Sequence, residues 1–281
     1  MAANTNTANN ILFYKDFPRK NRKMFNEFKL PKTGEMARAE ILAPDHLEDV
    51  LILHEATRAA LPTEQKMFVL PQKPDYFEKF LTQKEGVILG IMTGGKLVAQ
   101  LVIMGPMPLE DVIGKRAVTR NEIMFHHVGA LDQIIAIKSM AVHPDYRGNE
   151  LSQHILTAAL DLPFVRQADQ AFAQISADNV RSWELFLKNG FGIVGAATDP
   201  GDQKARFILQ KPIGGFSLDV APSADDVDPA EDFPAITRLT QREGLIGRID
   251  EDAPASDGLR LAFFASAEIS GVLPRVAEDR N

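Results

Sequence analysis

The sequence predicts a mixed α/β domain, and three features of its middle section carry that reading. Strand-like and helix-like segments follow the order strand, two helices, hairpin, strand, helix, strand, helix, two strands. Two β-rich runs, GVILGIM and KLVAQLVIM, flank the turn signal TGGK, which marks a hairpin. The stretch IIAIKSMAVHPDYRGNELSQHIL runs from an apolar strand through a Pro-Asp-Tyr-Arg-Gly turn into apolar residues at helical spacing.

Taken in order, Ala37 to Leu42 alternates as a strand does. Pro44 and Asp45 open a helix carrying Leu47, Val50, Leu51, Leu53 and Leu61, and Pro74 and Asp75 open a second with Tyr76, Phe77, Phe80 and Leu81 on one side. The hairpin follows, then NEIMFHHV and IIAIKSMAV as strands, the second ending at His143 and Pro144. The next helix presents Leu151, Ile155, Ala158, Ala159 and Leu162 until Pro163 disturbs it. QAFAQIS reads as a strand, NVRSWELFLKN as a helix stopped by Gly190, and GIVGAA with ARFILQ as two closing strands around a polar turn. Beyond Pro212, APSADDVDPAED is linker-like, followed by one helical candidate (Phe233 to Arg248) and one strand candidate (Leu259 to Ala265).

Composition narrows the function. A hydrophobic share of 45% and a charged share of 25% are ordinary globular values, so a packed core is expected. No cysteine is present, which removes disulfides, thiolate zinc sites and any cysteine nucleophile. The first residues lack an apolar run behind a basic one, and no apolar stretch approaches the roughly 18 residues of a membrane helix. A soluble, cytoplasmic protein with no membrane partner is expected. The net charge of −7 is uneven: Pro212 to Asn281 holds 14 acids against 6 bases, and the remainder 24 against 25. A neutral body with an acidic tail argues for separate segments and against a nucleic-acid partner. The short basic run from Lys15 to Lys32 reads as solvated surface, and Phe13, Phe17, Phe25 and Phe28 beside it could dock on the body. The expected division is an N-terminal extension over 1–34, partly disordered, a domain over 35–212, and an acidic extension over 213–281.

The strand-turn-helix stretch carries the chemistry. A helix N-terminus leaves backbone N–H groups unpaired and bears about half a positive charge, so it attracts a phosphate or pyrophosphate. Arg147, just before that helix, can add a charge-assisted contact. The plain alternative is a structural strand-to-helix turn. Val142-His143-Pro144-Asp145-Tyr146 followed by Arg147-Gly148-Asn149-Glu150-Leu151-Ser152, and later Asn179, Ser182, Phe186, Gly190 and Phe191, resemble the two signatures of the GNAT superfamily of N-acetyltransferases. Two signatures at suitable separation within the right element order are specific.

That resemblance implies a GNAT acyltransferase fold, with a central mixed, mostly antiparallel sheet flanked by helices and with N- and C-terminal extensions. It implies acetyl-CoA as co-substrate, with the pyrophosphate held by Arg147, Gly148, Asn149, Glu150, Leu151 and Ser152. The pantetheine arm would pair with Met140, Ala141 and Val142, a backbone N–H of that strand would hold the thioester carbonyl, and Asn179 and Phe186 would complete the cofactor site. The acceptor would be a small-molecule or peptide amine attacking directly, with no metal; substrate walls would come from Thr57 to Pro74 and Gly195 to Lys204. A homodimer stays open.

Some positions depart from the pattern. Phe186 stands where the family often has a tyrosine that protonates the departing thiolate, and phenylalanine cannot donate a proton. Glu150 and Ser152 occupy positions that are usually glycine or alanine. A carboxylate about 6 Å from a phosphate charge, at an effective dielectric of about 20, is repelled by roughly 3 kcal/mol. The alternative role for Glu150 is at the helix end, where a carboxylate favours the dipole by about 0.3–1 kcal/mol. For a proton relay, alternation along NEIMFHHV puts Glu122 and His126 on one face, and Met140 joins them through its backbone as the catalytic set. The adjacent His126 and His127 face opposite ways, and no metal-ligand spacing occurs. The expected function is acyl-CoA-dependent N-acetyl transfer; the alternative is a catalytically degenerate GNAT-fold module for ligand sensing or protein binding.

Overall fold

Prolines and glycines punctuate the chain where the sequence places them. The computed structural model describes residues 27–107, 134–198, 203–215, 218–219, 222, 224–253 and 259–265. The chain divides into two units, the first made of Met1–Val112 with Asp132–Ala173, the second of Ile113–Leu131 with Gln174–Asn281. NEIMFHHV, with Glu122 and His126, lies outside the described residues, as do Phe13, Phe17 and Phe25.

In the first unit, β1 (Phe28–Lys29), β2 (Met36–Ile41), β3 (Gly86–Thr93), β4 (Lys96–Met107), β5 (Ile134–Val142) and the first four residues of β6 (Gln170–Ser176) lie side by side in that order. Neighbours are antiparallel except β5 and β6, which run parallel. Gly94 and Gly95 make the β3–β4 turn, both with positive φ, as a tight hairpin demands. β3 is apolar on both faces because both are covered. At Gly90 a Cβ would sit 2.7 Å from the Leu42 and Leu97 side chains, so only hydrogen fits there.

Helix α1 (Leu47–Ala59) follows a 3-10 turn at Pro44–His46 and buries Val50, Leu53, His54 and Thr57, one stripe at helical spacing. Helix α2 (Pro74–Leu81) starts on proline, whose missing N–H costs nothing at that position, and buries Phe77, Phe80 and Leu81. These side chains pack with Leu42, Ile88, Leu97, Val102, Met104, Ala136 and Ala141 into a core cluster. Each buried phenylalanine contributes about 1.5–3 kcal/mol relative to exposure. Helix α3 (Leu151–Leu160) buries Leu151, Ile155, Leu156 and Ala159. It ends ahead of Pro163, which opens the short helix α4 (Pro163–Arg166) instead of continuing the pattern.

The second unit contains helix α5 (Val180–Lys188), β7 (Gly192–Thr198), β8 (Ala205–Pro212), β9 (Ala224–Val227), helix α6 (Phe233–Thr237), β10 (Ile246–Ile249) and β11 (Leu261–Phe264). Its strands follow the order β8-β7-β10-β11-β9, all antiparallel. Gly190 ends α5 with a φ of 82°, the left-handed exit expected there.

Beyond Pro212 the sequence reading needs correction. The linker-like stretch contains β9, paired with β11 at Leu261 with Val227 and Phe263 with Ala224. The helix expected from Phe233 to Arg248 stops at Thr237, passes through a π-helical turn at Arg238–Arg242, and gives way to β10. Gly244, with a φ of 68°, breaks the helix, and Gly247 then lies opposite Ile193 with a Phe263 ring carbon 3.0 Å from where its Cβ would be. Sheet pairing overrides the local pattern here.

Aromatic packing organises α5. The Trp183 indole N–H donates to the Ala177 carbonyl at 2.9 Å and the ring meets Phe207 edge-on. Phe186 is 3% exposed and meets Phe191 edge-on at 4.9 Å between ring centroids. A hydroxyl added at this ring enters packed apolar space. Phe186→Tyr is therefore expected to cost about 1–3 kcal/mol, the penalty of an unsatisfied buried polar group. Thermal melts of the two proteins check this; an unchanged melting temperature would mean that the hydroxyl finds a partner.

Candidate functional site

β5 is the strand on which the site is built. It pairs with β4 from Ile134 to Val142, whereas its ladder with β6 covers only Ile134–Ala136 against Gln170–Phe172. The ladder with β6 ends at Ala136, and β5 continues to Val142. On the β4 side, Gln100 faces Ala141 while Val102 faces Lys138, so β5 carries an extra residue at Ser139 and Met140. That is a β-bulge, and Ser139 sits in it with a φ of 48°. Bulges re-aim side chains and backbone groups next to functional sites.

Side chains from the two N-terminal helices fix this end of β5. Thr57 of α1 is buried, and its hydroxyl lies 2.8 Å from the Leu53 carbonyl and 3.2 Å from that of Val142. Tyr76 of α2 shares a 2.9 Å hydrogen bond with the Ser139 hydroxyl at the bulge. Its ring meets Phe77 and Phe80 edge-on at 5.0 and 5.4 Å. Burial raises the Tyr76 phenol above its ordinary value of 10.0, with the Ser139 bond opposing. On β4, Gln100 is fully buried and both atoms of its amide lack a hydrogen-bond partner among the described residues. Alternation puts Gln100 on the same face as Val102 and Met104, which pack against α1 and α2.

After Val142 the chain enters the turn. The His143 N–H donates to the Val98 carbonyl at 2.9 Å, and its Nδ1 accepts from the Asp145 N–H at 3.3 Å. Burial, then Lys96, lower the His143 pKa from 6.5, which keeps the ring neutral and Nδ1 able to accept. Arg147 is exposed and makes no ion pair among the described residues. Gly148 and Glu150 both take left-handed backbone, with φ of 83° and 56°. Between them Asn149 is fully buried: its Oδ1 accepts from the Lys32 N–H at 2.7 Å and its Nδ2 donates to the Tyr146 carbonyl at 3.0 Å. The Asn149 side chain therefore holds the turn, and only its backbone is left for a ligand. Phe28 adds a second tie, stacking on His154 of α3 at 4.1 Å.

The first intrahelical bond of α3 runs from His154 N–H to Glu150 C=O, so the N–H groups of Leu151 and Ser152 precede it at the positive end of the helix. A Cβ on Gly148 would meet only the Lys32 side chain, at 3.7 Å, so the turn has room on that side. An exposed arginine, an open turn and a free helix start fit a pyrophosphate. The Glu150 side chain is exposed and forms no cap bond; what places a residue there is the left-handed backbone, where glycine is cheapest. Among the other expected residues, Leu151 is buried and offers backbone alone, while Asn179 starts α5 and Phe186 packs within it, both in the second unit. The expected substrate-side segment Thr57 to Pro74 includes Leu70, whose carbonyl lies 2.9 Å from His54 Nε2. Residues 199–202 of the other expected wall lie outside the described residues.

Thr57 enters the sequence reading only as the start of a substrate wall, and Tyr76, Gln100 and Ser139 are not among its site residues. Tyr76 had been grouped with the apolar side of its helix. A signal for the bulge was present, since Lys138 and Ser139 interrupt the apolar run of IIAIKSMAV.

A strand that outruns its ladder with β6 and leads into a helix N-terminus offers backbone groups suited to an extended, anionic ligand. The family model described as "Acetyltransferase (GNAT) family" matches residues 53–191, from α1 through Phe191. Residues 53–191 therefore carry a GNAT acetyltransferase domain. Among solved structures, it is similar to the ribosomal-protein-S18-alanine N-acetyltransferase of Escherichia coli at 14% identity, covering 63% of this chain and 94% of that one, with a TM-score of 0.45. A GNAT-family acetyltransferase of Streptococcus agalactiae matches at 14% identity, 66% and 98% coverage and a TM-score of 0.47. The PaiA N-acetyltransferase of Thermoplasma acidophilum, solved in complex with coenzyme A, matches at 11% identity, 63% and 98% coverage and a TM-score of 0.45. No curated protein matches the chain.

Two outcomes are expected from this geometry. Burial, the first of the causes and joined by Arg58, lowers the His54 pKa from 6.5, against the Leu70 bond and Glu55. With Nε2 donating to Leu70, a second proton would go to Nδ1, which is buried without a partner. The unfolded chain then binds the proton better, so the His54 contribution to stability is whole above pH 6.5 and is lost as pH falls below it. Melting temperatures of wild type and His54→Gln at pH 7 and pH 5 should converge at the lower pH; a constant gap would show that His54 does not titrate on unfolding. For Glu150→Gly, relief of left-handed strain, about 1–2 kcal/mol, opposes loss of about 0.3–1 kcal/mol from the helix dipole. A small rise in melting temperature is expected, and a fall would mean that the carboxylate's attraction to the helix outweighs the strain.

Proposed function

We propose that this chain is an N-acetyltransferase that moves an acetyl group from acetyl-CoA directly to an amine of a small molecule or peptide. The observation that carries the reading is the joining of the bulged, partly released end of β5 to the N-terminal turn of α3. The spare edge of β5 suits an amide-bearing arm, and the turn suits the phosphates to which that arm is attached.

In this reading Arg147 and the backbone N–H groups of Gly148 to Ser152 bind the pyrophosphate, and Ala141 and Val142 pair with the pantetheine amides. The N–H of Met140, within the bulge, holds the thioester carbonyl and stabilises the charge that grows on its oxygen during attack. Acetyl-CoA supplies an activated acyl group, so no nucleophile of the protein is required, in keeping with a chain that has no cysteine. Thr57 holds the end of β5 through Val142 and keeps Met140 to Val142 in place. Glu122 and His126 are the proposed relay for the proton that the amine gives up.

Calorimetric titration with acetyl-CoA tests the proposal. Binding is expected for the wild-type chain, and Arg147→Ala should weaken it about tenfold, the worth of one charge-assisted contact near the surface. Thiol release against a panel of amines and short peptides then identifies the acceptor class. Absence of heat at millimolar acetyl-CoA would overturn the acetyltransferase reading.

A further inference from the structure

The geometry points to Tyr76 as the proton donor to the thiolate that leaves when the acetyl group is transferred. The inference rests on the acetyltransferase reading and adds a residue to it. In that reading the thioester carbonyl meets the Met140 N–H, and Met140 is the neighbour of Ser139 in the bulge. The Tyr76 hydroxyl is 2.9 Å from the Ser139 hydroxyl, so it is the side-chain acid one residue away from the reacting carbonyl.

Several observations suit Tyr76 to this task. Ser139 holds its hydroxyl at a bulge with left-handed backbone, a conformation that serine adopts only when the surroundings impose it. The Tyr76 ring is clamped edge-on by Phe77 and Phe80, with Lys79 Nζ 5.6 Å from its centroid, so the hydroxyl has a defined position. The phenol, with an ordinary value of 10.0 that burial raises, is protonated across the neutral range. Phe186 supplies no acid, being an apolar ring packed on Phe191.

The protons balance as follows. The amine nitrogen forms the bond to the carbonyl carbon, and the carbon–sulfur bond breaks with its electron pair on sulfur. Tyr76 donates its O–H to that sulfur. The amine gives up its own proton as described above, and the phenolate oxygen recovers one from solvent through the Ser139 hydroxyl. The products are the amide and coenzyme A with a neutral thiol. Either hydroxyl can donate in the Tyr76–Ser139 bond, and with Ser139 donating the phenol O–H is free for the sulfur.

The test compares binding of coenzyme A and of desulfo-coenzyme A by calorimetry at pH 7 and pH 9, using the full chain and its Tyr76→Phe and Ser139→Ala variants. Tyr76→Phe keeps the ring contacts, and its melting temperature reports whether the fold is intact. The wild-type chain should prefer coenzyme A, and more so at pH 9 as its thiol ionises, by about tenfold for a hydrogen bond to a charged partner. Tyr76→Phe should abolish that preference while binding desulfo-coenzyme A as the wild type does, and Ser139→Ala should reduce it partially. Equal weakening of both ligands in Tyr76→Phe, or survival of the pH-dependent preference in that variant, would overturn the assignment. So would a wild-type chain that binds both ligands equally. A chain that binds neither ligand would overturn the acetyltransferase reading itself, and the assignment with it.

Discussion

Backbone hydrogen bonding along β5 is the constraint on which the site depends. A strand inside a sheet normally spends its N–H and C=O groups on both neighbours, because an unpaired buried group costs as much as a lost hydrogen bond. β5 does this fully toward β4 and only from Ile134 to Ala136 toward β6. The protein tolerates the departure by giving the end of the strand other support. Thr57 meets the Val142 carbonyl, His143 returns to β4 through Val98, and the Ser139 hydroxyl meets Tyr76.

The turn after β5 solves a related problem. An anion site made of backbone N–H groups works only if those groups stay aimed before the ligand arrives. Asn149 secures this by burying its amide and bonding in two directions, to Lys32 and to Tyr146. Its neighbours at 148 and 150 then take left-handed backbone, free for Gly148 and costly for Glu150. Glu150 is thus better understood as a residue tolerated at a glycine position than as a helix cap, since it forms no cap bond and its carboxylate is exposed.

Much of this was legible in sequence because it rests on local rules. The β3–β4 hairpin followed from Gly94 and Gly95, the starts of α1 and α2 from Pro44 and Pro74, and the break between α3 and α4 from Pro163. The turn after β5 and the helix behind it followed from Pro144 to Gly148 and the helical spacing after them. What stayed hidden depends on partners far along the chain. Thr57 and Tyr76 become site residues only once α1 and α2 lie against β5, and nothing in their own neighbourhoods announces it. β9 was masked by its acidic composition; its pairing with β11 needs no apolar run. Gly247 belongs to a strand because Phe263 and Ile193 fill the space that its side chain would take.

The bond between Lys32 and Asn149 joins residues 117 positions apart. Closing a loop of that length in a disordered chain costs about 4 kcal/mol by the logarithmic rule, too much for one hydrogen bond to repay alone. The anion turn is therefore a product of the folded domain and not a local motif that could form ahead of it. Strands and helices between the two residues must assemble first, and the turn tightens when they have. A partly folded chain lacks the tie that aims the N–H groups of this turn, so their arrangement follows completion of the fold.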